Sequence, residues 1–283
     1  MYFIQVLHLG QVDYTTALQL QKTLADLRKQ NRIGDVMLLL EHPPVITMGR
    51  NAVEQNIVAS REFLAERGVE IHETDRGGDV TFHGPGQLVG YPICDLRALP
   101  PKINDETGEE KRIGPVEFVR RMEEVLIRTC AEFGIATERI AGRTGVWTQP
   151  NNTQPEAKIA AIGVHVSRGV TSHGFAFNIT TELEDFRLIV PCGISDKPVT
   201  RLVDHIESER MPSMEQIMNA VTRKWGNVFG VQILWLESLE ALMSAQQEPN
   251  LPINDALREP EELKRMREEL QGSSIDKDVN FSV

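Results

Sequence analysis

Two spacings of apolar residues alternate along the chain. Residues 3 to 8 form a short strand-like run, and Ala17, Leu20, Leu24 and Leu27 then share one face of a helix over 14–30. "DVMLLLEH" (35–42) and "PVITMG" (44–49) read as short buried strands broken by Pro43 and Pro44, and a helix near 60–67 ends at Gly68. "VEIHET" and "QLVGYPI" (87–93) are strands on either side of a glycine-rich stretch. The strongest amphipathic pattern lies at 116–133, where Phe118, Val119, Met122, Val125, Leu126, Cys130 and Phe133 recur at helical spacing, so Cys130 reads as core. Three strand-like runs follow closely at 144–149, 158–167 and 173–180, which predicts an antiparallel section. An apolar run at 188–194, a helix at 213–229 and a strand at 231–236 complete the pattern.

The expected fold class is α+β, a mixed and largely antiparallel sheet flanked by helices. A single catalytic domain would span residues 1–236. Residues 237–283 would form an acidic, partly helical C-terminal extension, read as a solvated appendage, because they carry 11 acidic and 5 basic side chains. Residues 99–114 are polar and rich in turn formers, so they read as a surface loop.

Composition narrows the function. A net charge of −11 argues against nucleic acid as a partner, since phosphate neutralisation needs clustered Lys and Arg. The N-terminus lacks a signal-peptide pattern, and no apolar run reaches the roughly 20 residues that span a bilayer. A cytoplasmic protein with no membrane association is the expectation. Three widely spaced cysteines, Cys94, Cys130 and Cys192, suggest neither disulfides nor zinc, and the histidines fit no metal pattern, so no metal is expected.

Three segments carry candidate chemistry. "RGGDVTFHGPGQ" (76–87) has neither a Walker ending nor a dinucleotide spacing, but Gly77 and Gly78 would let backbone approach a ligand closely. A hairpin with Arg76 in a surface ion pair is the plain alternative. Cys192 closes an apolar run between Pro191 and Gly193, where a thiol stands either at a cleft rim or in the core. Lys158 heads "KIAAIGV", where small and apolar neighbours would partly desolvate its ammonium unless it snorkels to water.

Taken together, "RGGDVTFHGPGQLVGYPI", "KIAAIGVHVSRGVTSHGFAFNI" and "LIVPCGI", in that order, resemble the octanoyltransferases, also called lipoate-protein ligase B, over roughly residues 3–236. The resemblance implies the biotin and lipoate protein ligase catalytic-domain fold. It implies transfer of an octanoyl group from octanoyl-acyl carrier protein to a lysine of lipoyl domains, those of 2-oxoacid dehydrogenase complexes and of the glycine cleavage H protein. It implies an acyl-thioester on Cys192 whose pKa Lys158 tunes, and no cofactor. The substrate-lining positions would be Arg76, Gly77, Gly78, Asp79, Val80, Thr81, Phe82 and His83, then Ala161, Ile162 and Gly163, then Gly174, Phe175 and Ala176. Val164 and Phe177 are expected to add apolar lining; the backbone near Gly193 ranks first to hold an oxyanion, with Thr81 and His83 second candidates for that or for orienting groups. Arg76, Arg143, Arg168, Arg187, Lys197 and Arg201 are candidates for a basic docking patch. The rivals are an ATP-dependent lipoate or biotin ligase, a non-catalytic acyl-carrier or lipoyl-domain binding module in which Cys192 is packed, and a thiol hydrolase.

Overall fold

A computed structural model describes residues 2–103, 110–150, 155–190, 197–244, 264–266 and 268. β1 (Phe3–Gln11) leads into α1 (Tyr14–Lys29), whose first turn is capped by Asp13 accepting the Thr16 N–H. β2 (Asp35–Glu41), β3 (Val45–Met48), α2 (Arg61–Glu66), β4 (Glu70–Glu73) and β6 (Gln87–Ile93) follow the predicted alternation, and β5 (Val80–His83) is a further strand inside the glycine-rich stretch. The segment read as a loop at 99–114 instead carries two-residue strands β7 (Lys102–Ile103) and β8 (Glu110–Lys111), paired antiparallel, and buries Leu99 and Ile113. After α3 (Pro115–Glu132) come β9 (Thr137–Ile140), β10 (Arg143–Thr148), β11 (Ala157–Ser167) and β12 (Val170–Asn178). α4 (Met214–Phe229), β13 (Gln232–Trp235) and α5 (Leu239–Ser244) follow.

Eight strands form one sheet in the order β13-β1-β2-β6-β12-β11-β10-β9. β1 pairs in parallel with both β13 and β2, and every later neighbour is antiparallel, so the sheet is mixed and largely antiparallel. Strand alternation sorts the core. Met37 and Leu39 of β2 face α3 and α4, joining Phe118, Met122, Trp225 and Phe229, whereas Val36, Leu38 and Leu40 face Leu20, Leu24 and Leu27 of α1. Each such side chain contributes about 1.5–3 kcal/mol on burial. A separate sheet, β4-β3-β5, has its own core of Ile46, Leu64, Val80, Phe82, Phe186 and Leu188.

The C-terminal segment is less detached than its charge suggests. Leu239, Leu242 and Met266 are buried in the core beneath α1, and the Thr23 hydroxyl lies 3.9 Å from the Met266 sulfur. These three apolar side chains thus join the body of the protein.

A buried ionic network pins the start of β2. Asp35 accepts from Arg28 Nε at 2.7 Å, from the Tyr2 hydroxyl at 2.7 Å and from the Asp95 N–H at 3.0 Å. Removing one partner of such a group leaves the other charge buried and costs about 3–5 kcal/mol. Asp35→Ala is therefore expected to lose stability of that order in urea unfolding, while Asp35→Leu combined with Arg28→Met should recover most of it.

Candidate active site

The glycine motif is a wall whose backbone lies against two further glycines, Gly163 and Gly49, where a side chain would clash. Gly77 N–H donates to the Val164 carbonyl of β11 at 3.0 Å, and a Cβ on Gly163 would lie 2.5 Å from the Gly77 carbonyl oxygen. Gly78 has φ +90°, in the region that favours glycine, and its carbonyl oxygen would be 2.4 Å from a Cβ on Gly49. Arg76 braces this wall from inside. Its Nη2 donates to the Thr47 carbonyl at 2.6 Å, its Nε to the Thr47 hydroxyl at 3.1 Å, and its Nη1 to the Gly77 carbonyl at 3.0 Å. A buried arginine so used does not belong to a docking patch. Of the other candidates for that patch, Arg187, Lys197 and Arg201 pair with Glu184, Glu156 and Asp204.

Behind the wall lies a cleft of 50 Å³. Arg76, Gly77, Gly78, Thr81 and His83 line one side, and Ala161, Ile162 and Gly163 of β11 with Gly174, Phe175 and Ala176 of β12 line the other. The run 76–83 does not act as a unit, because alternation along β5 divides it. Thr81 and His83 face the cleft, while Val80 and Phe82 sit in the core of the small sheet. Asp79 turns away, accepting from the Val53 N–H and from Asn56 Nδ2 at 2.6 Å. Val164 and Phe177 likewise belong to the core under α3 and α4 and do not line the cleft. Tyr14, Tyr91 and His173 complete the cleft lining; no motif singled them out, since they come from α1, β6 and a strained point of β12.

Lys158 reaches the cleft's face of the sheet through an irregularity. Between Val146↔Ala160 and Trp147↔Lys158 the register slips by one residue, a bulge that leaves adjacent Ile159 and Ala160 both in the core under α3. Lys158 consequently shares the opposite face with Ala161 and Gly163. It is 7% exposed, and its Nζ sits 4.7 Å from the centroid of the Trp147 ring. Its backbone is tied to the segment 198–200, donating N–H to the Pro198 carbonyl and accepting from Thr200 N–H, both at 2.9 Å. Cys192, Pro191 and Gly193 lie outside the described residues.

A cluster of rings backs the cleft. Tyr14 stacks on His83 at 6.2 Å, and His42 meets His83 edge-on at 5.7 Å. Burial holds the pKa of His83 down at about 3 and that of His42 at about 4, so both are neutral at physiological pH. A neutral His42 donates Nδ1–H to the Val12 carbonyl at 2.6 Å and accepts the Tyr91 hydroxyl on Nε2 at 2.8 Å. His83 has Gln87 Oε1 at 2.7 Å from Nδ1 and the Thr47 hydroxyl at 3.5 Å from Nε2. Gln87 Nε2 passes the chain to Asn178 at 2.9 Å, whose Nδ2 donates to the Thr200 carbonyl at 2.9 Å. His83 is thereby the end of a brace that reaches the segment paired with Lys158. Among the described residues no group of three or more His, Cys, Asp or Glu is placed to hold a metal, and no helix is long and apolar enough to cross a membrane.

Comparison with known proteins places this geometry. Residues 13–226 match the family model of the lipoyl protein ligase A/B catalytic domain. A protein of Koribacter versatilis named octanoyltransferase is 60% identical over 266 residues, covering 94% of this chain and 98% of its own. Another of that name, from Acidobacterium capsulatum, is 59% identical over 235 residues, covering 83% and 94%. Among solved structures, a bi-partite lipoate protein ligase of Thermoplasma acidophilum aligns with a TM-score of 0.63 at 15% identity, covering 96% of this chain and 93% of that one. A lipoate-protein ligase A bound with ATP aligns with a TM-score of 0.62 at 14% identity, covering 96% and 95%. These two show the shared fold.

Two outcomes follow from the geometry. Gly163→Ala should push the loop at Gly77 off β11 and lower acyl transfer more than tenfold with the protein still folded, measured as initial rate beside circular dichroism. Acid should destabilise the fold through His42 and His83. Their folded pKa values lie below the ordinary value of about 6.5, so between pH 6.5 and about 4 the unfolded chain binds protons that the folded chain does not. Stability is full above pH 6.5 and falls with acidification, by up to about 1.4 kcal/mol per pH unit for each histidine. Urea midpoints across this range should show a shallower slope for His83→Gln.

Proposed function

The chain belongs to the lipoyl protein ligase A/B catalytic-domain family and, within it, to the octanoyltransferases, acyltransferases of protein lipoylation; from that premise we propose that it works by double displacement on Cys192. The donor is an octanoyl thioester on the phosphopantetheine arm of acyl carrier protein. The acceptor is the lysine amine of a lipoyl domain of a 2-oxoacid dehydrogenase complex or of the glycine cleavage H protein.

In the first half, Lys158 as amine takes the proton of Cys192, and the thiolate attacks the thioester carbonyl. The carbon–sulfur bond to the carrier breaks, and the departing thiol receives its proton from the Lys158 ammonium. In the second half the lipoyl lysine amine attacks the acyl-enzyme, an amide bond forms, and the bond to Cys192 Sγ breaks. Lys158 accepts the amine's proton and returns one to Cys192. Exchange of one thioester for another is nearly neutral, and amide formation is downhill, so no nucleotide is required.

The observation that carries this reading is Lys158, buried on the same face of β11 as Ala161 and Gly163 and three residues before Ala161, where the cleft lining begins on that strand. The other two thiols support it by elimination. Cys94 and Cys130 are fully buried, and burial drives both pKa values up, that of Cys130 to about 12, so neither is a thiolate at neutral pH.

Incubation with octanoyl-acyl carrier protein and no ATP should add one hydroxylamine-labile octanoyl mass to the protein and none to Cys192→Ser. An adduct that persists at another residue, or transfer that starts only with ATP, would refute the assignment. Lys158→Met should slow both loading and transfer at least a hundredfold with unfolding unchanged; near-normal rates would remove it from the mechanism.

A further inference from the structure

His173 stands in β12 with φ +56°, a backbone conformation that costs a non-glycine residue about 1–2 kcal/mol. The inversion has a visible effect. Phe175 and Phe177, which share its alternation, lie in the core under α3, and its cross-strand partner Val164 packs on that same core. His173 instead sits against Tyr91, a member of the core beneath α1, with ring centroids 6.4 Å apart at 85°. It is locked there. Its N–H donates to Gln21 Oε1 of α1 at 2.8 Å, and its Nε2–H donates to Asp75 at 2.8 Å.

In that position His173 belongs to the walls of two separate spaces. One is the 50 Å³ cleft. The other is a groove of 250 Å³ between α1 and the β11–β12 hairpin, floored by Leu18, Ala25 and Val170 and edged by Lys22, Asp26 and Lys29. The groove is polar enough for water: Gln21 Nε2 and His165 Nδ1 are buried beside it with no hydrogen-bond partner among the described residues. Along β11 the order runs from Lys158 through Ala161 to Gly163, whose neighbour Val164 faces His173 across the hairpin. The cleft is lined from Ala161 to Gly163, so an acyl chain whose carbonyl lies on the Lys158 side runs along this wall toward His173.

We propose that His173 is the specificity-determining stop of the acyl cleft, a partition between a dry space that holds the alkyl tail and a wet groove beyond it. This rests on the reading of the cleft as the octanoyl site. The strained backbone is what the partition requires, since an ordinary strand residue at this position would point into the opposite core.

The test is a competition. Equal amounts of octanoyl-, decanoyl- and dodecanoyl-acyl carrier protein are offered to the full chain with a lipoyl domain, and the products are resolved by intact mass. His173→Gly suits the left-handed backbone and opens the partition, and His173→Asn tolerates that backbone with a shorter side chain. The decanoyl-to-octanoyl ratio should rise about tenfold in His173→Gly and by less in His173→Asn; burial of two methylenes sets a ceiling of about fifteenfold, at ~0.8 kcal/mol each. An unchanged ratio in a folded variant that still transfers acyl groups would overturn the partition, as would loss of transfer at every chain length in both folded variants. If the unaltered chain transfers no octanoyl group, the reading of the cleft fails instead.

Discussion

The separation between the loop at 76–78 and β11 is that of two backbones in contact, and the architecture around the cleft follows from it. Gly77 and Val164 share a hydrogen bond, while Gly163 offers no side chain to hold the loop away. The loop must then be stiffened by something other than its own packing. Arg76 serves, its guanidinium turned inward on Thr47 and the Gly77 carbonyl, so that β3, the loop and β11 form one rigid corner. A charged group is buried for this purpose because its Nε, Nη1 and Nη2 each donate to an oxygen atom of the wall it supports.

The opposite side of the cleft is made by two departures from regular strand geometry. The bulge at Ile159 exchanges the faces of β11, bringing Lys158 onto the cleft's face and leaving its backbone open to pair with residues 198–200. The inverted backbone at His173 does the converse on β12, near the far end of the same hairpin. Between these two points the hairpin is regular, from Ala160↔Phe177 to Gly163↔Gly174. The two irregularities thus reorient Lys158 and His173, and the regular part between them supplies a smooth wall.

Much of this was readable from residue order. The helical stripes of α1, α3 and α4 and the alternation of β2 follow from periodicity, because each buries one face against a sheet. The glycine motif was legible as a close approach, since Gly77 and Gly78 can do little else. The division of residues 79–83 was also available from alternation, yet the motif read as a continuous run obscured it. What could not be read were the bulge and the inversion. Ile159 and Ala160 look like any apolar pair, and nothing near His173 in the chain announces a left-handed backbone, because the glutamine that stabilises it lies on a helix 152 residues earlier. The acidic tail misled for a related reason: net charge reports the exposed side chains and is silent about Leu239, Leu242 and Met266.

The burial of Met266 against Thr23 joins residues 243 positions apart, and β1 is paired along one edge with β13, Phe3 opposite Gln232. During synthesis on the ribosome, therefore, α1 emerges long before the residues that finish its core, and β1 waits almost the whole length of the chain for its second neighbour. Contacts this distant slow folding, since the loop entropy must be lost before they form. The N-terminal strand and helix, although first made, would be among the last parts to reach their final stability.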